Sequence, residues 1–242
     1  MRITAATDVG LRHEQNQDCY KLGRLSDDSY FMILCDGMGG VSSGGEASFI
    51  TVNYLEQLIK ERLVGLEKEE IEDFILDAVR RSNTLVYSIS KEMEQAYSMG
   101  TTIVVAIIRD NDVYIVHAGD SRAYHIVEDD IVQITTDHSV VQELLSSGKI
   151  TEYQARNHPN RNIITSALGI EPELKLDFNT LKLYVNEYIL ICSDGLSNML
   201  EDNEILDIVK HQDFYRVADK LIERALDLGG FDNVTALLLQ AD

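Results

Sequence analysis

The chain has 242 residues, 45% of them hydrophobic, which is enough to bury a substantial core. Its 41 acidic and 21 basic residues give a formal charge of −20, which disfavours binding to nucleic acid and to anionic membranes. The apolar runs are far shorter than the roughly 20 residues that span a bilayer, and the first residues lack the apolar core of a signal peptide. We therefore expect a cytoplasmic globular protein.

The first part of the chain predicts one strand followed by two helices. Residues 30–35 form a continuous apolar run, which is typical of a buried strand. After several glycines, apolar residues recur at helical spacing over residues 47–59. A second amphipathic pattern predicts a helix over residues 69–93.

The hydrophobic period then shortens, and four strands are predicted at residues 101–108, 113–118, 123–127 and 131–134. Acidic and Asn-containing turns at 109–112 and 128–130 separate them, which indicates antiparallel hairpins. Residues 137–168 are partly helical near 140–147 and then polar and irregular. Long irregular segments inside compact domains are often functional flaps, so we expect a flap here.

Beyond the predicted flap, strands are expected at 175–178, 188–192 and 234–239, and helices at 203–210 and 215–228. No linker-like break or repeat divides the chain. We therefore predict a single α+β domain over residues 1–242, with antiparallel sheets and flanking helices.

Aspartates recur at the ends of the predicted strands. Asp36 directly follows the run FMILC, and Asp194 follows YILICS. Three further aspartates have similar settings: Asp120 after IVHAG, Asp232 before the final strand, and Asp18 after Asn16 and Gln17. Any one Asp-Gly pair is a strong turn signal and by itself is better explained as a turn. The joint pattern is harder to explain by turns, because a helix rather than a partner strand follows the glycines after Asp36.

Carboxylates brought together in this way would repel one another unless a cation neutralised them. Carboxylates, backbone carbonyls and water are the ligands that Mg²⁺ and Mn²⁺ prefer. The sequence has no HxH, HExxH or clustered cysteines to indicate zinc, and Cys35 and Cys192, which lie in apolar runs, are predicted to be reduced core residues. Gly37 would let its carbonyl approach a metal closely. We therefore predict a Mg²⁺ or Mn²⁺ centre that could receive a phosphate group.

An ordered set of motifs extends this prediction to a family. The motifs are GLRHEQNQD at 10–18, DGMGG at 36–40, MGTT at 99–102, AGDSRAY at 118–124, SDGL at 193–196 and FDNVT at 231–235. In this order and spacing they resemble the metal-dependent protein phosphatases of the type 2C class. TTDHS at 135–139 and NHPNRNIITSALG at 157–169 are similar to its bacterial members. The resemblance covers essentially the whole chain.

The resemblance implies a β-sandwich of two antiparallel sheets flanked by pairs of antiparallel helices, with the metals at one end of the sandwich. It implies that Asp36 bridges two metal ions and that the Gly37 carbonyl binds one of them. Asp194 and Asp232 would complete the other site, and Asp18 would hold metal-bound waters. Asp120 would join Asp194 at a third ion.

The same resemblance implies a Mg²⁺- or Mn²⁺-dependent protein-serine/threonine phosphatase with two ions, and a third in bacterial relatives. In two-metal catalysis a bridging water is activated for in-line attack on phosphorus, so no covalent phosphoenzyme is needed. The expected partners are phosphorylated Ser/Thr proteins, above all a cognate Ser/Thr kinase and its substrates. We expect a monomer.

The chain departs from the family pattern at the residue that grips phosphate. The family carries an arginine five residues before the aspartate that corresponds to Asp18, but here His13 occupies that place and Arg12 precedes it. Either Arg12 reaches the phosphate through a shifted loop, or His13 takes this role, or His13 is an exposed loop residue. An imidazole cannot grip phosphate with the paired donors of a guanidinium.

Two alternative functions remain open at this stage. The chain could be a catalytically weak metal-binding module that recognises phosphoproteins, an idea that the His13 substitution suggests. It could also be a phosphatase dedicated to one regulator, such as an anti-sigma-factor antagonist. The presence of all five aspartates favours the enzyme.

Overall fold

Two antiparallel β-sheets stack face to face in the structure, a computed structural model that describes residues 1–39, 43–92 and 99–242. Gly40 and Met93, which belong to the predicted DGMGG motif and second helix, lie outside the described residues. The strands are β1 Arg2–Asp8, β2 Asp18–Arg24, β3 Tyr30–Met38, β4 Gly100–Thr101, β5 Ile103–Arg109, β6 Asp112–Ala118, β7 Arg122–Val127, β8 Asp130–Gln133, β9 Asp177–Lys182, β10 Tyr188–Cys192 and β11 Val234–Gln240. The α-helices are α1 Ser43–Arg62, α2 Ile71–Glu92, α3 Val140–Ser146, α4 Glu152–Arg156, α5 Asp194–Ser197, α6 Asp202–His211 and α7 Phe214–Asp227.

The first sheet has the strand order β1-β11-β10-β7-β8, and the second has the order β2-β3-β5-β6-β9 with β4 paired to β3. Every strand pairing is antiparallel, as predicted. The first and last strands of the chain are neighbours, so that Arg2 lies opposite Gln240. The two predicted hairpins are confirmed, and Asp110 and Glu128 adopt positive φ angles of 54° and 50° in their turns.

Strand β3 is buried on both faces, which explains its continuous apolar run. Tyr30, Met32 and Leu34 pack into the core between the two sheets. Phe31, Ile33 and Cys35 alternate with them and pack into the cluster formed with α1 and α2. Helices α6 and α7 cover the outer face of the other sheet in a third cluster. The order of layers is therefore helix, sheet, sheet, helix, as expected.

The structure differs from the predicted elements in several places, and the strand predicted at 175–178 is observed as β9 at Asp177–Lys182. Strand β3 does not end at Cys35 but continues through Asp36 to Met38, because Gly37 and Met38 pair with Thr101 and Gly100. Strands β1 and β2 were not predicted. Cys35 and Cys192 are free and buried, as predicted, and Cys19 is free and partly exposed. Among the described helices, none combines the length and apolar character needed to cross a bilayer.

The segment predicted as a flap, residues 137–168, contains α3 and α4 and is tied to the sheets near both of its ends. At its start, the His138 amide donates to the Gly119 carbonyl at 2.8 Å. Near its end, the Thr165 amide donates to the His138 carbonyl at 2.7 Å, and Leu168 bridges to Thr101. Both ends of the predicted flap are therefore anchored close to the loop that carries Asp120.

Candidate active site

Asp18 and Asp36 lie directly opposite each other on the neighbouring strands β2 and β3. The Gly37 amide donates to the Gln17 carbonyl at 3.2 Å. The next pair along, Asp18 and Asp36, is consequently a non-hydrogen-bonded pair, in which side chains approach most closely. Like charges placed opposite each other destabilise a sheet. This pairing is therefore stable only if the carboxyls are protonated or share a cation.

The Asp18 carboxyl is buried and only half satisfied. Its Oδ2 accepts hydrogen bonds from Ser193 Oγ at 2.7 Å and from Thr235 Oγ1 at 2.6 Å. Its Oδ1 has no hydrogen-bond partner among the described residues. Burial raises the pKa of Asp18 to about 7, although the two hydroxyls lower it. One oxygen is thus held in place while the other points into the site.

Three more strand ends bring aspartates to the same place. Asp194 follows β10 and begins α5, Asp120 follows β6 after Gly119, and Asp232 stands two residues before β11. The pKa of Asp36 is raised well above its usual range by burial, then by the charges of four other aspartates: Asp18, Asp194, Asp120 and Asp232. The structure therefore brings all five predicted aspartates into one electrostatic cluster.

Two of the other carboxyls also have raised pKa values. Burial, followed by the charge of Asp194, raises the pKa of Asp120 to about 8. Burial, followed by the charge of Asp232, raises the pKa of Asp194 to about 6. Asn198 donates to Asp194 Oδ2 at 3.0 Å, whereas Asp194 Oδ1 has no partner within the described ranges. Orphaned, buried carboxylate oxygens at strand ends fit a hard divalent cation, which takes oxygen ligands and offsets their mutual repulsion.

Gly37 stands where β3 and α1 are in close contact. A Cβ atom on this residue would lie 2.3 Å from the Gly44 carbonyl oxygen and 2.8 Å from the Gln17 carbonyl oxygen. No larger residue fits without moving the backbone that carries Asp36. Close packing therefore requires glycine at this position, in addition to the carbonyl role that was predicted for it.

Comparison with known proteins agrees with this geometry. The family model described as "Protein phosphatase 2C" matches residues 11–228. The chain belongs to the protein phosphatase 2C family. The serine/threonine phosphatase stp of Listeria monocytogenes is 36% identical over 100% of this chain and 96% of that protein. A serine/threonine phosphatase of S. agalactiae superposes with a TM-score of 0.94 at 32% identity, over 100% of this chain and 99% of that one.

A further structure of this family bears on the cofactor. The catalytic domain of the serine/threonine protein phosphatase PstP, in complex with 2 manganese ions, superposes with a TM-score of 0.87 at 32% identity, covering 100% of this chain and 98% of that one. The family is metal-dependent, and its members in these comparisons are serine/threonine phosphatases. The chain is accordingly a metal-dependent phosphoprotein phosphatase, and the predicted enzyme class and fold are confirmed.

His13 and Arg12, the two residues at which this phosphatase departs from the family pattern, have different surroundings. His13 Nε2 lies 3.3 Å from Asp232 Oδ1, and both side chains are about half exposed. The Arg12 guanidinium lies over the exposed ring of Phe231, 5.5 Å from its centroid. His13 thus contacts one of the five aspartates, whereas Arg12 packs on the exposed ring of Phe231. That one of them contacts the phosphate stays a prediction.

Asn233 fixes the loop that carries these two residues. Its Oδ1 accepts from the Gln17 amide at 2.7 Å, and its Nδ2 donates to the Val9 carbonyl at 2.8 Å and to the Gln15 carbonyl at 3.1 Å. Its own amide donates to Asp232 Oδ1 at 2.8 Å. One residue therefore connects the 9–17 loop to Asp232.

Several supporting residues of the phosphatase were missed in the sequence. Ser193 and Thr235 orient Asp18, and the Asp36 amide donates to Thr102 Oγ1 at 3.0 Å. Arg122 forms a paired contact with Asp137, at 2.9 Å from Nε to Oδ1 and 2.7 Å from Nη2 to Oδ2. The hydroxyl residues lie inside motifs that the sequence shows, but their partners are far away in the chain. No local pattern could therefore have assigned them.

Proposed function

We propose that Asp18, Asp36, Asp120, Asp194, Asp232 and the Gly37 carbonyl hold Mg²⁺ or Mn²⁺ and that the centre hydrolyses phosphoserine and phosphothreonine in proteins. The observation that carries this proposal is the cluster of five aspartates, in which burial and mutual repulsion raise the carboxyl pKa values of Asp18, Asp36, Asp120 and Asp194, and Asp18 and Asp194 have orphaned oxygens. Bound divalent ions would supply the positive charge that activates water and neutralises phosphoryl oxygens.

Each residue then has a defined task. Asp36 is central, because the other four aspartates all act on its carboxyl, and it is assigned to both ions of a pair. Asp194 and Asp232 complete one of these sites, with the Gly37 carbonyl on the other. Asp18, whose Oδ2 is fixed by Ser193 and Thr235, orients water through its free Oδ1.

Asp120 and Asp194 are assigned to a third ion. Asp120 and Asp194 line the same cavity, and burial, followed by the charge of Asp194, raises the pKa of Asp120. In metal titrations of the full chain, Asp120→Asn should lower the number of bound Mn²⁺ ions by one. An unchanged stoichiometry would remove the third ion from the proposal.

For the substrate phosphate, Arg12 is assigned as the contact and His13 as the residue that holds Asp232. Arg12 can supply paired donors to phosphate oxygens, which an imidazole cannot. The 3.3 Å approach of His13 Nε2 to Asp232 Oδ1 supports a positioning role.

The proposed partners are phosphorylated Ser/Thr proteins, including a cognate Ser/Thr kinase and the substrates of that kinase. The proposal is also for a monomer that works in the cytoplasm. Analytical ultracentrifugation at the protein concentrations of the activity assay tests whether the protein is a monomer. Dephosphorylation of the autophosphorylated kinase tests whether that kinase is a substrate.

The central experiment measures hydrolysis of an aryl phosphate and of a phosphothreonine peptide in Mn²⁺, in Mg²⁺ and with a chelator. We expect turnover with either ion and none with chelator. Asp36→Asn and Asp194→Asn should reduce kcat by about 100-fold or more while the fold persists. Asp129→Asn is the matched control, because this carboxylate is 98% exposed and away from the cluster. Absence of turnover by the unmodified chain in Mn²⁺ would overturn the proposal.

A further inference from the structure

Two histidines that the phosphatase centre does not use are buried together at the base of the flap. His117 is on β6 and is fully buried, and His138, in the loop before α3, is 4% exposed. Their rings stack with centroids 4.8 Å apart and an angle of 18° between planes. Asp177, the first residue of β9, lies directly opposite His117 in the sheet. The three residues therefore join two strands of the sheet to the flap.

We propose that His117, His138 and Asp177 form a second metal site, separate from the aspartate cluster, for a borderline divalent ion such as Zn²⁺. One ligand atom from each of the three residues lies within 4.8 Å of the other two. None of the three belongs to the cluster. Two imidazoles and one carboxylate suit zinc better than the oxygen-only set of the cluster, which suits Mg²⁺ and Mn²⁺.

His117 is already in the tautomer that a metal ligand needs. Its Nε2 lies 2.9 Å from the Thr136 carbonyl oxygen, which can only accept a hydrogen bond, so the ring proton is on Nε2. The lone pair of Nδ1 is then free, and this buried atom has no hydrogen-bond partner in the part of the chain that the structure describes. A metal-bound histidine usually donates its other ring N–H to a backbone carbonyl or a carboxylate, which fixes the ring orientation. Burial also lowers the pKa of His117, which keeps the ring neutral.

His138 and Asp177 present a second pair of ligand atoms. His138 Nε2 is 3.1 Å from Asp177 Oδ2, although this nitrogen makes no aligned hydrogen bond among the described residues. A separation of this size is close to that of two ligands on one tetrahedral ion with bonds of about 2.0 to 2.1 Å. The Gly119 amide donates a long hydrogen bond to His138 Nδ1 at 3.3 Å, which places the ring proton on Nε2. Metal binding at Nε2 would move the ring proton to Nδ1 and open this contact.

The site also has an entry path and a structural consequence. The Asp177 side chain is 39% exposed, so an ion can reach the two buried rings from solvent on that side. The His138 amide and carbonyl bond to Gly119 and Thr165, one on the Asp120 loop and the other at the end of the flap. A bound ion would fasten the base of the flap to the sheet.

The test uses the full chain with Asp36→Asn, which weakens the aspartate cluster as a competing site. Zn²⁺ is titrated against a chromophoric chelator. We expect one tight zinc equivalent, whose affinity falls by about tenfold or more in His117→Asn and in His138→Asn. His158→Asn, a flap histidine outside the site, is the matched control and should leave the affinity unchanged.

Asp177→Asn keeps the test decisive if a buried histidine variant fails to fold, because this side chain is at the surface. It should weaken zinc binding as well. Co²⁺ gives an independent readout on the Asp36→Asn chain, since nitrogen ligands in a site of low coordination number produce an intense visible absorption band. Equal zinc affinity in the parent and the Asp177 variant, or a Co²⁺ spectrum with only weak bands, would overturn the proposal.

Discussion

Asp18 and Asp36 face each other across β2 and β3 as a non-hydrogen-bonded pair, the closest side-chain spacing that an antiparallel sheet offers. One carboxyl is held by two hydroxyls, and the other is surrounded by the charges of four aspartates. The two sheets therefore bring five carboxyls together where these strands end. This arrangement destabilises the metal-free protein and favours cation binding.

The metal-free protein should lose stability as the pH rises from about 5 to about 8. The folded-state pKa values of Asp194, Asp18 and Asp120, about 6, 7 and 8, lie above the ordinary value near 3.8. For carboxyls with raised pKa values, the contribution to folding is fully present below about pH 4 and is lost as the pH rises through the folded values. We expect the Tm in chelator to fall by about 5 °C or more over this range.

Mn²⁺ should restore most of the lost stability at about pH 8. Asp36→Asn should flatten the metal-free pH profile, because it removes the central charge. Differential scanning calorimetry at three pH values, with chelator and with Mn²⁺, measures both effects. A Tm in chelator that rises with pH would contradict this electrostatic account.

Arg12→Ala and His13→Ala should impair the enzyme in different ways. If Arg12 contacts phosphate, its loss should raise KM by about tenfold, which corresponds to ~1.4 kcal/mol. Loss of His13, which contacts Asp232, should mainly raise the Mn²⁺ concentration needed for half-maximal activity. Steady-state kinetics at varied peptide and varied Mn²⁺ separate the two effects. A larger rise in KM for His13→Ala would place the histidine at the phosphate.

Gly37→Ala should destabilise the protein by about 2 to 3 kcal/mol or more, because the new Cβ would lie 2.3 Å from the Gly44 carbonyl oxygen. The control is Gly65→Ala, where a Cβ would have no neighbour within 4 Å, and we expect a change of about 0.5 kcal/mol or less. Urea unfolding of both variants in chelator measures the difference without a contribution from metal binding. Equal stability of the two variants would show that α1 can move away from β3 at little cost.

Arg122→Lys should cost about 2 kcal/mol, because lysine cannot make the paired contact with Asp137, whose side chain is 12% exposed. The exposed pair of Arg216 and Asp219, 3.8 Å apart, provides the comparison. Arg216→Lys should change the free energy of unfolding by about 0.5 kcal/mol or less. Thermal unfolding of both variants tests the prediction. Equal losses in the free energy of unfolding would show that the Arg122–Asp137 pair contributes no more than an exposed ion pair.

The elements that the sequence predicts best are those with strong burial on both faces or a clear amphipathic stripe. Strand β10 was predicted with its observed bounds, and α6, α7 and β11 within about two residues. Strands β1 and β2 were missed because they are edge strands whose residues are almost all half-buried. Without a strong alternation of apolar and polar residues, their period is weak.

The candidate site also contains residues that the sequence could predict and residues that it could not. The five aspartates could be found because each stands beside a recognisable strand or motif. The hydroxyls of Ser193 and Thr235 could not, because they reach Asp18 from 175 and 217 residues away. The pairing of His117 with His138 was likewise hidden, since one is on a strand and the other in a loop that folds back onto it.

The pairing of β1 with β11 has a consequence for the order of events on the ribosome. Strand β11, the partner of β1, is synthesised after the other described strands, and Asp18 and Asp232 lie far apart in the sequence. Contacts between residues that are this far apart in the sequence form late in folding and make it slower. A nascent chain that already contains Asp18, Asp36 and Asp120 still lacks the rest of the cluster. Phosphatase activity should therefore appear only after β11 has emerged from the ribosome.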